Sequence, residues 1–144
     1  MSVTTSFANQ LLALILEGTA IANIADNAAS SPLGNLYISL HTASPGTSGN
    51  QATSETAYTG YARQAVVRTS SGWTAASGTS SNDAEIAFPI CTASPGSDLL
   101  YVGIGTASSG NGTLLLYGAL TSSIAMQVGT TPIFSVGELD VTCS

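Results

Sequence analysis

The chain has 144 residues, room for one domain and little for a second. Hydrophobic residues make up 44% and the mean hydropathy is +0.32, enough for a core. Charged residues are only 7%, against about 25% in an ordinary soluble domain. Lysine is absent, and Arg63 and Arg68 stand against eight carboxylates for a formal charge of −6. A phosphate-binding surface needs clustered Lys and Arg, so nucleic acid and anionic lipid are excluded as partners. Ample Leu, Ile and Val with little charge argues against intrinsic disorder. The longest apolar run, 11–16, falls far short of the roughly 20 residues of a membrane span. The N-terminus shows neither a basic region nor a cleavage site, so no secretory leader is expected.

The first predicted element is a helix. Ser6 is the candidate N-cap, Phe7, Leu11, Leu14 and Ile15 recur at helical spacing, and Gly18 ends the run. Leu12 and Leu16 widen the stripe, so the helix needs cover from the domain's own sheet or from a neighbouring subunit. Residues 19–34, rich in Ala, Asn and Ser with Pro32 and Gly34, read as a connecting arm. Helix and arm (1–34) therefore precede a single β domain (35–144).

From Asn35 the pattern turns to strands. Leu36, Ile38 and Leu40 alternate with Tyr37, Ser39 and His41, predicting a half-buried strand. Residues 42–57 read as a long loop. A strand is predicted over 61–69, with Tyr61, Arg63, Ala65 and Val67 on one face. Trp73 falls in a short strand or turn after Gly72, and Ala84, Ile86 and Phe88 alternate with Asp83, Glu85 and Ala87 before Pro89. Residues 99–105 are apolar enough for a strand covered on both faces. Asn111-Gly112 signals a turn into a strand over 113–120, and strands over 124–128 and 138–143 complete the set. Seven to nine short strands point to an antiparallel β-sandwich or jelly roll with one short N-terminal helix and arm. Thr-Ala-Ser-Pro-Gly occurs at 42–46 and again at 92–96; the flanks do not align, so recurring turn chemistry explains it.

Little in the sequence suggests catalysis. His41 is the sole histidine, on the polar face of a strand, and is expected to be a hydrogen-bonded structural residue. No nucleophile elbow, phosphate loop or Cys/His metal spacing is present. Asp83 with Glu85, and Glu138 with Asp140, could each aim two carboxylates from one strand face, but solvated strands give the same pattern. Cys91 and Cys143 are expected to be free thiols, with pairing left open. Neither an enzyme, a cofactor nor a metal is expected. Because cations are so scarce, Arg63 is expected to be an internal anchor on Glu55 or on backbone carbonyls, leaving Arg68 to face a partner. Trp73, Tyr58 and Tyr61 suit the core, and otherwise a sugar or a protein contact.

A free β-rich domain normally guards its surface and sheet edges with charge. This chain lacks the means, which implies a surface largely covered by other subunits in a repeating assembly.

Specific residue blocks add to this. An amphipathic helix over 7–16 is followed by Asn35-Leu36-Tyr37-Ile38-Ser39-Leu40-His41-Thr42-Ala43-Ser44-Pro45-Gly46. Then come Glu55, Tyr58-Thr59-Gly60-Tyr61-Ala62-Arg63, Trp73, and Asn82-Asp83-Ala84-Glu85-Ile86-Ala87-Phe88-Pro89. Gly103-Ile104-Gly105, residues 114–120, residues 132–134 and Gly137-Glu138-Leu139 close the series. In these blocks the chain resembles, over nearly its whole length, a family of small tailed-phage virion proteins usually labelled phage tail fibre proteins. The resemblance implies a structural protein of the virion, made in the host cytoplasm, with no catalytic motif to carry over.

A fibre shaft needs a repeat or heptads, and none is visible. A compact sandwich with an arm suits a capsid decoration, or cement, protein on the outer head. Its partners would then be the major capsid protein and copies of itself, as a dimer or trimer. The alternative is a tail fibre, tail-tip or baseplate component, including a receptor-binding adaptor. Anchoring to the particle is assigned to Phe7, Leu11, Leu14 and Ile15 with the arm; Arg63, Glu55 and Trp73 are assigned as structural anchors.

Overall fold

A computed structural model describes residues 4–21 and 33–142. Most of the 19–34 arm, and Cys143, lie outside the described residues. The chain is mostly β, with antiparallel sheets and one short N-terminal helix, consistent with the all-β sandwich class predicted. Two compact units are formed by interleaved segments. The first takes the described parts of Met1–Asn35, Val66–Ile86 and Phe134–Ser144; the second takes Leu36–Ala65 and Ala87–Ile133.

In the first unit, helix α1 (Thr5–Leu12) runs into a π-helical turn (Ala13–Glu17). The N-cap is Thr4 rather than Ser6. Thr4 has extended backbone, and its hydroxyl accepts the Phe7 N–H at 3.3 Å, which places Ser6 inside the helix. Gly18, at φ 70°, ends the helix in the left-handed conformation, and Ala13 O accepts the Thr19 N–H at 3.0 Å. Ala8, Leu12 and Leu16 are the buried residues, so the inward stripe is the one that only widened the predicted face.

The helix lies against the hairpin of β3 (Trp73–Ala76) and β4 (Thr79–Asn82), to which β9 (Asp140–Thr142) adds antiparallel. The hairpin turns at Ser77 and Gly78, both at positive φ. Two helix side chains brace it: Glu17 accepts the Ala75 N–H at 2.9 Å, and Asn9 accepts the Gly78 N–H. Trp73 and Leu139 are buried in this unit.

The four-stranded sheet runs in the order β2 (Gln64–Val67), β1 (Asn35–His41), β6 (Leu99–Gly105), β7 (Leu114–Ile124). Ile38 pairs with Ile104, Leu40 with Val102, and Gly103 with Tyr117. One face of the second unit's sheet therefore carries Leu36, Ile38, Leu40, Val102 and Ile104, all buried. β5 (Ile86–Ala87) and β8 (Ile133–Phe134) form a two-stranded ribbon.

Several expectations need correction. β1 is buried on both faces in its second half, because the 42–57 loop folds back over Ser39 and His41. The strand predicted over 61–69 shrinks to Gln64–Val67, since Tyr61 and Arg63 turn toward Glu55 instead of continuing a ladder. The strand predicted over 113–120 runs on to Ile124, with a bulge against β6 between Ala119 and Ile124, whereas 125–128, predicted as strand, is not. In the repeated pentapeptide both final glycines take the left-handed conformation, Gly46 at φ 71° and Gly96 at φ 70°.

Candidate assembly surface and its internal anchors

The polar face of β1 begins the site. Tyr37, Ser39 and His41 alternate outward from the apolar core, and the opposite positions on β6 are Gly105, Gly103 and Tyr101. Those two glycines make room. A Cβ at Gly103 would sit 2.8 Å from both His41 Nε2 and Ser39 Oγ, and one at Gly105 would collide with Gln51 at 2.2 Å. Into this space the loop lays Gln51, fully buried, which donates to Tyr37 O at 3.3 Å and accepts the Ala107 N–H at 2.9 Å.

His41 is fully buried, with Nε2 2.9 Å from Ser39 Oγ and Nδ1 2.9 Å from Thr53 O. Burial lowers its pKa below 6.5, opposed by the Thr53 carbonyl and the Glu55 charge. Both ring nitrogens are engaged, which fits the structural role expected for it.

Beside it lies an ionic cluster. Arg63 Nε and Nη2 donate to Glu55 Oε1 and Oε2 at 2.6 and 2.7 Å, a two-pronged pair. Nη1 reaches Ala107 O at 2.9 Å and Nη2 reaches Gly110 O at 2.7 Å. Tyr61 completes it, donating to Glu55 Oε1 at 2.8 Å and accepting the Leu40 N–H at 3.1 Å. The Arg63 side chain is 2% exposed. The hydrogen-bonded Glu55 carboxylate raises its pKa, and burial raises the Tyr61 phenol. The cluster ties together the 55–63 segment and the 106–112 loop between β6 and β7.

Trp73 lies in the other unit and is fully buried, out of reach of a sugar; its indole N–H has no hydrogen-bond partner. Tyr58 is buried too, donating to Pro89 O at 2.8 Å, and burial pushes its pKa up to about 12. Arg68 does not face outward to a partner. It donates to the carbonyls of Leu14 and Ile15, the second at 2.6 Å, where the helix runs out of its own N–H groups.

Three of the four paired carboxylates are bonded locally. Asp83 accepts the Thr74 hydroxyl at 2.8 Å, Asp140 accepts the Ser81 hydroxyl at 2.6 Å, and Glu138 accepts the Ser135 N–H at 2.7 Å. Among the described residues no cluster of three or more His, Cys, Asp or Glu is placed to hold a metal. Cys91 is a buried free thiol. No helix among the described residues is long and apolar enough to cross a membrane.

What remains at the surface is apolar and hydroxyl-rich. Phe7, Leu11, Leu14 and Ile15 are half-buried, left beside the inward stripe of the helix. Leu115 and Tyr117, on β7, are 42% and 39% exposed. Between Glu85 and Glu138 the sole charged residue is Asp98, so β6, β7 and their loops are almost free of charge. The lack of charge along β7 is plain in the sequence, but its place at the sheet edge is not.

A family model described as Podophage GP4 fiber I protein gp80 matches residues 2–142. No curated protein matches the chain.

Proposed function

Because this chain belongs to that podophage fibre family and is thus a phage structural protein of the virion, we propose that it serves as a compact subunit of the tail fibre apparatus. It works by holding neighbours rather than by catalysis. The observation that carries this reading is the family match over 2–142. The fold adds a constraint, since a short non-repeating β protein suits a joint or adaptor better than a shaft. The sole histidine and both arginines are consumed in internal bonds, which supports binding without chemistry. The partners proposed are further copies of this chain and an adjoining virion protein, with neither nucleic acid nor membrane.

Copy number per particle tests the location. Quantitative mass spectrometry of purified virions should give a stoichiometry far below that of the major capsid protein, and a cryo-EM difference map of particles lacking the chain should lose density at the tail. Near-equal stoichiometry with density lost from the head would establish capsid decoration instead. The half-exposed helix stripe of Phe7, Leu11, Leu14 and Ile15 is the proposed anchoring face. Replacing Leu11 and Ile15 with Ser should release the folded chain from the particle; full retention would refute that anchoring.

A further inference from the structure

Strand β7 ends the four-stranded sheet, and among the described residues nothing pairs with its outer edge. It is 11 residues long. Bulges against β6 fall at Leu115 and between Ala119 and Ile124, so residues 116–119 form the unbroken part of the ladder; the strand holds no charge and no proline, and alternate side chains from Leu115 to Ser123 are exposed. Soluble proteins protect such edges with charge, proline, bulges or a covering segment. An open edge of backbone N–H and C=O groups accepts only another extended strand.

The sequence of the strand indicates which one. Around Tyr117 the residues are complementary in size when the strand is laid antiparallel on itself: Leu116 opposes Gly118 and Leu115 opposes Ala119, with Tyr117 against its own copy. A chain of net charge −6 meets its copy most cheaply where it has no charge, and the segment from Leu99 to Gly137 has none.

We propose that two copies of this chain pair antiparallel through β7, with the twofold axis at Tyr117, extending the sheet from four strands to eight. This deepens the assembly reading above and rests on it. The contact is isologous and closes on itself, so it makes a dimer and leaves the rest of each subunit free for the particle. Gly118 and Ala119 supply the space that Leu116 and Leu115 of the other copy fill.

The full chain tests this in solution. Sedimentation equilibrium should show a dimer for the native sequence. Tyr117→Lys and Tyr117→Glu, each alone, should raise its dissociation constant about tenfold or more by setting like charges across the axis, while an equal mixture of the two should restore it. Far-UV circular dichroism and thermal midpoints control for folding, since Tyr117 is exposed. With Cys91 and Cys143 replaced by Ala, single cysteines at 115, 117 and 119 should cross-link best at 117. A parallel pair would cross-link equally at all three and overturn the geometry. A native monomer, or an oligomer indifferent to both Tyr117 variants, would overturn the proposal while leaving virion assembly standing. Purified particles lacking the chain would instead refute the assembly reading and leave a β7 dimer in solution intact.

Discussion

Replacing Arg63 with Met keeps the aliphatic bulk of the side chain and removes its guanidinium. Four donor contacts disappear, two to Glu55 and one each to Ala107 O and Gly110 O. Charge-assisted bonds contribute about 1.5–3 kcal/mol each, so a simple sum would exceed any plausible effect. Orphaning one member of a buried pair costs about 3–5 kcal/mol. Glu55 is 16% exposed and recovers some solvation, which places the loss near the lower end, about 3 kcal/mol. Arg63→Lys keeps the charge but not the two-pronged geometry and should lose about 2 kcal/mol. Glu55→Gln should lose a similar amount, because the carbonyl bonds to Arg63 survive. The double variant Glu55→Gln/Arg63→Met should cost clearly less than the sum of the singles, since the second change removes a charge already stranded. Urea denaturation followed by far-UV circular dichroism measures all four. A loss below about 1 kcal/mol for Arg63→Met, or strict additivity in the double variant, would refute an anchoring role.

Three further outcomes follow from the same region and from the helix. His41 is held neutral below its ordinary pKa of 6.5, so the unfolded chain takes up a proton first as pH falls. The His41 contribution to stability should be constant above about pH 7 and decline below 6.5 by at most about 1.4 kcal/mol per pH unit, until the folded pKa is reached. Thermal midpoints from pH 7.5 to 5 should show this decline in the native chain and lose its His41-dependent part in His41→Gln. Gly103→Ala would press a methyl to within 2.7–2.8 Å of Leu114, His41 and Ser39, and should destabilise by about 1–3 kcal/mol in urea melts. Arg68→Met strips two carbonyl caps from the helix end and should cost about 1–2 kcal/mol, with hydrogen exchange accelerating over 13–19 before the sheets are affected.

The sequence carried some of this plainly. Leu36, Ile38 and Leu40 alternate because one sheet face is apolar, and the scarcity of cations made an internal Arg63 on Glu55 a natural expectation; the two do meet. Other elements were obscured by their chemistry. Thr79-Ser80-Ser81-Asn82 offers no apolar alternation, so β4 was missed, although Ser77-Gly78 marked its hairpin. The helix showed its apolar residues but not which stripe would turn inward, because Leu12 and Leu16 are as hydrophobic as Leu11 and Ile15. Arg68 could not be assigned to the helix end either, since it lies 53 residues from Ile15 in sequence. Only tertiary placement reveals which carbonyls the helix leaves unpaired.

The two pinned guanidiniums give the molecule an unusual relation to trypsin. With no lysine, the peptide bonds after Arg63 and Arg68 are the chain's only tryptic sites. Both recognition side chains are engaged by Glu55 and by carbonyls in the folded state. Digestion must therefore wait for an opening event at one site or the other, and its rate becomes a gauge of local opening. The resulting fragments, 1–63, 64–68 and 69–144, would also reveal which guanidinium lets go first.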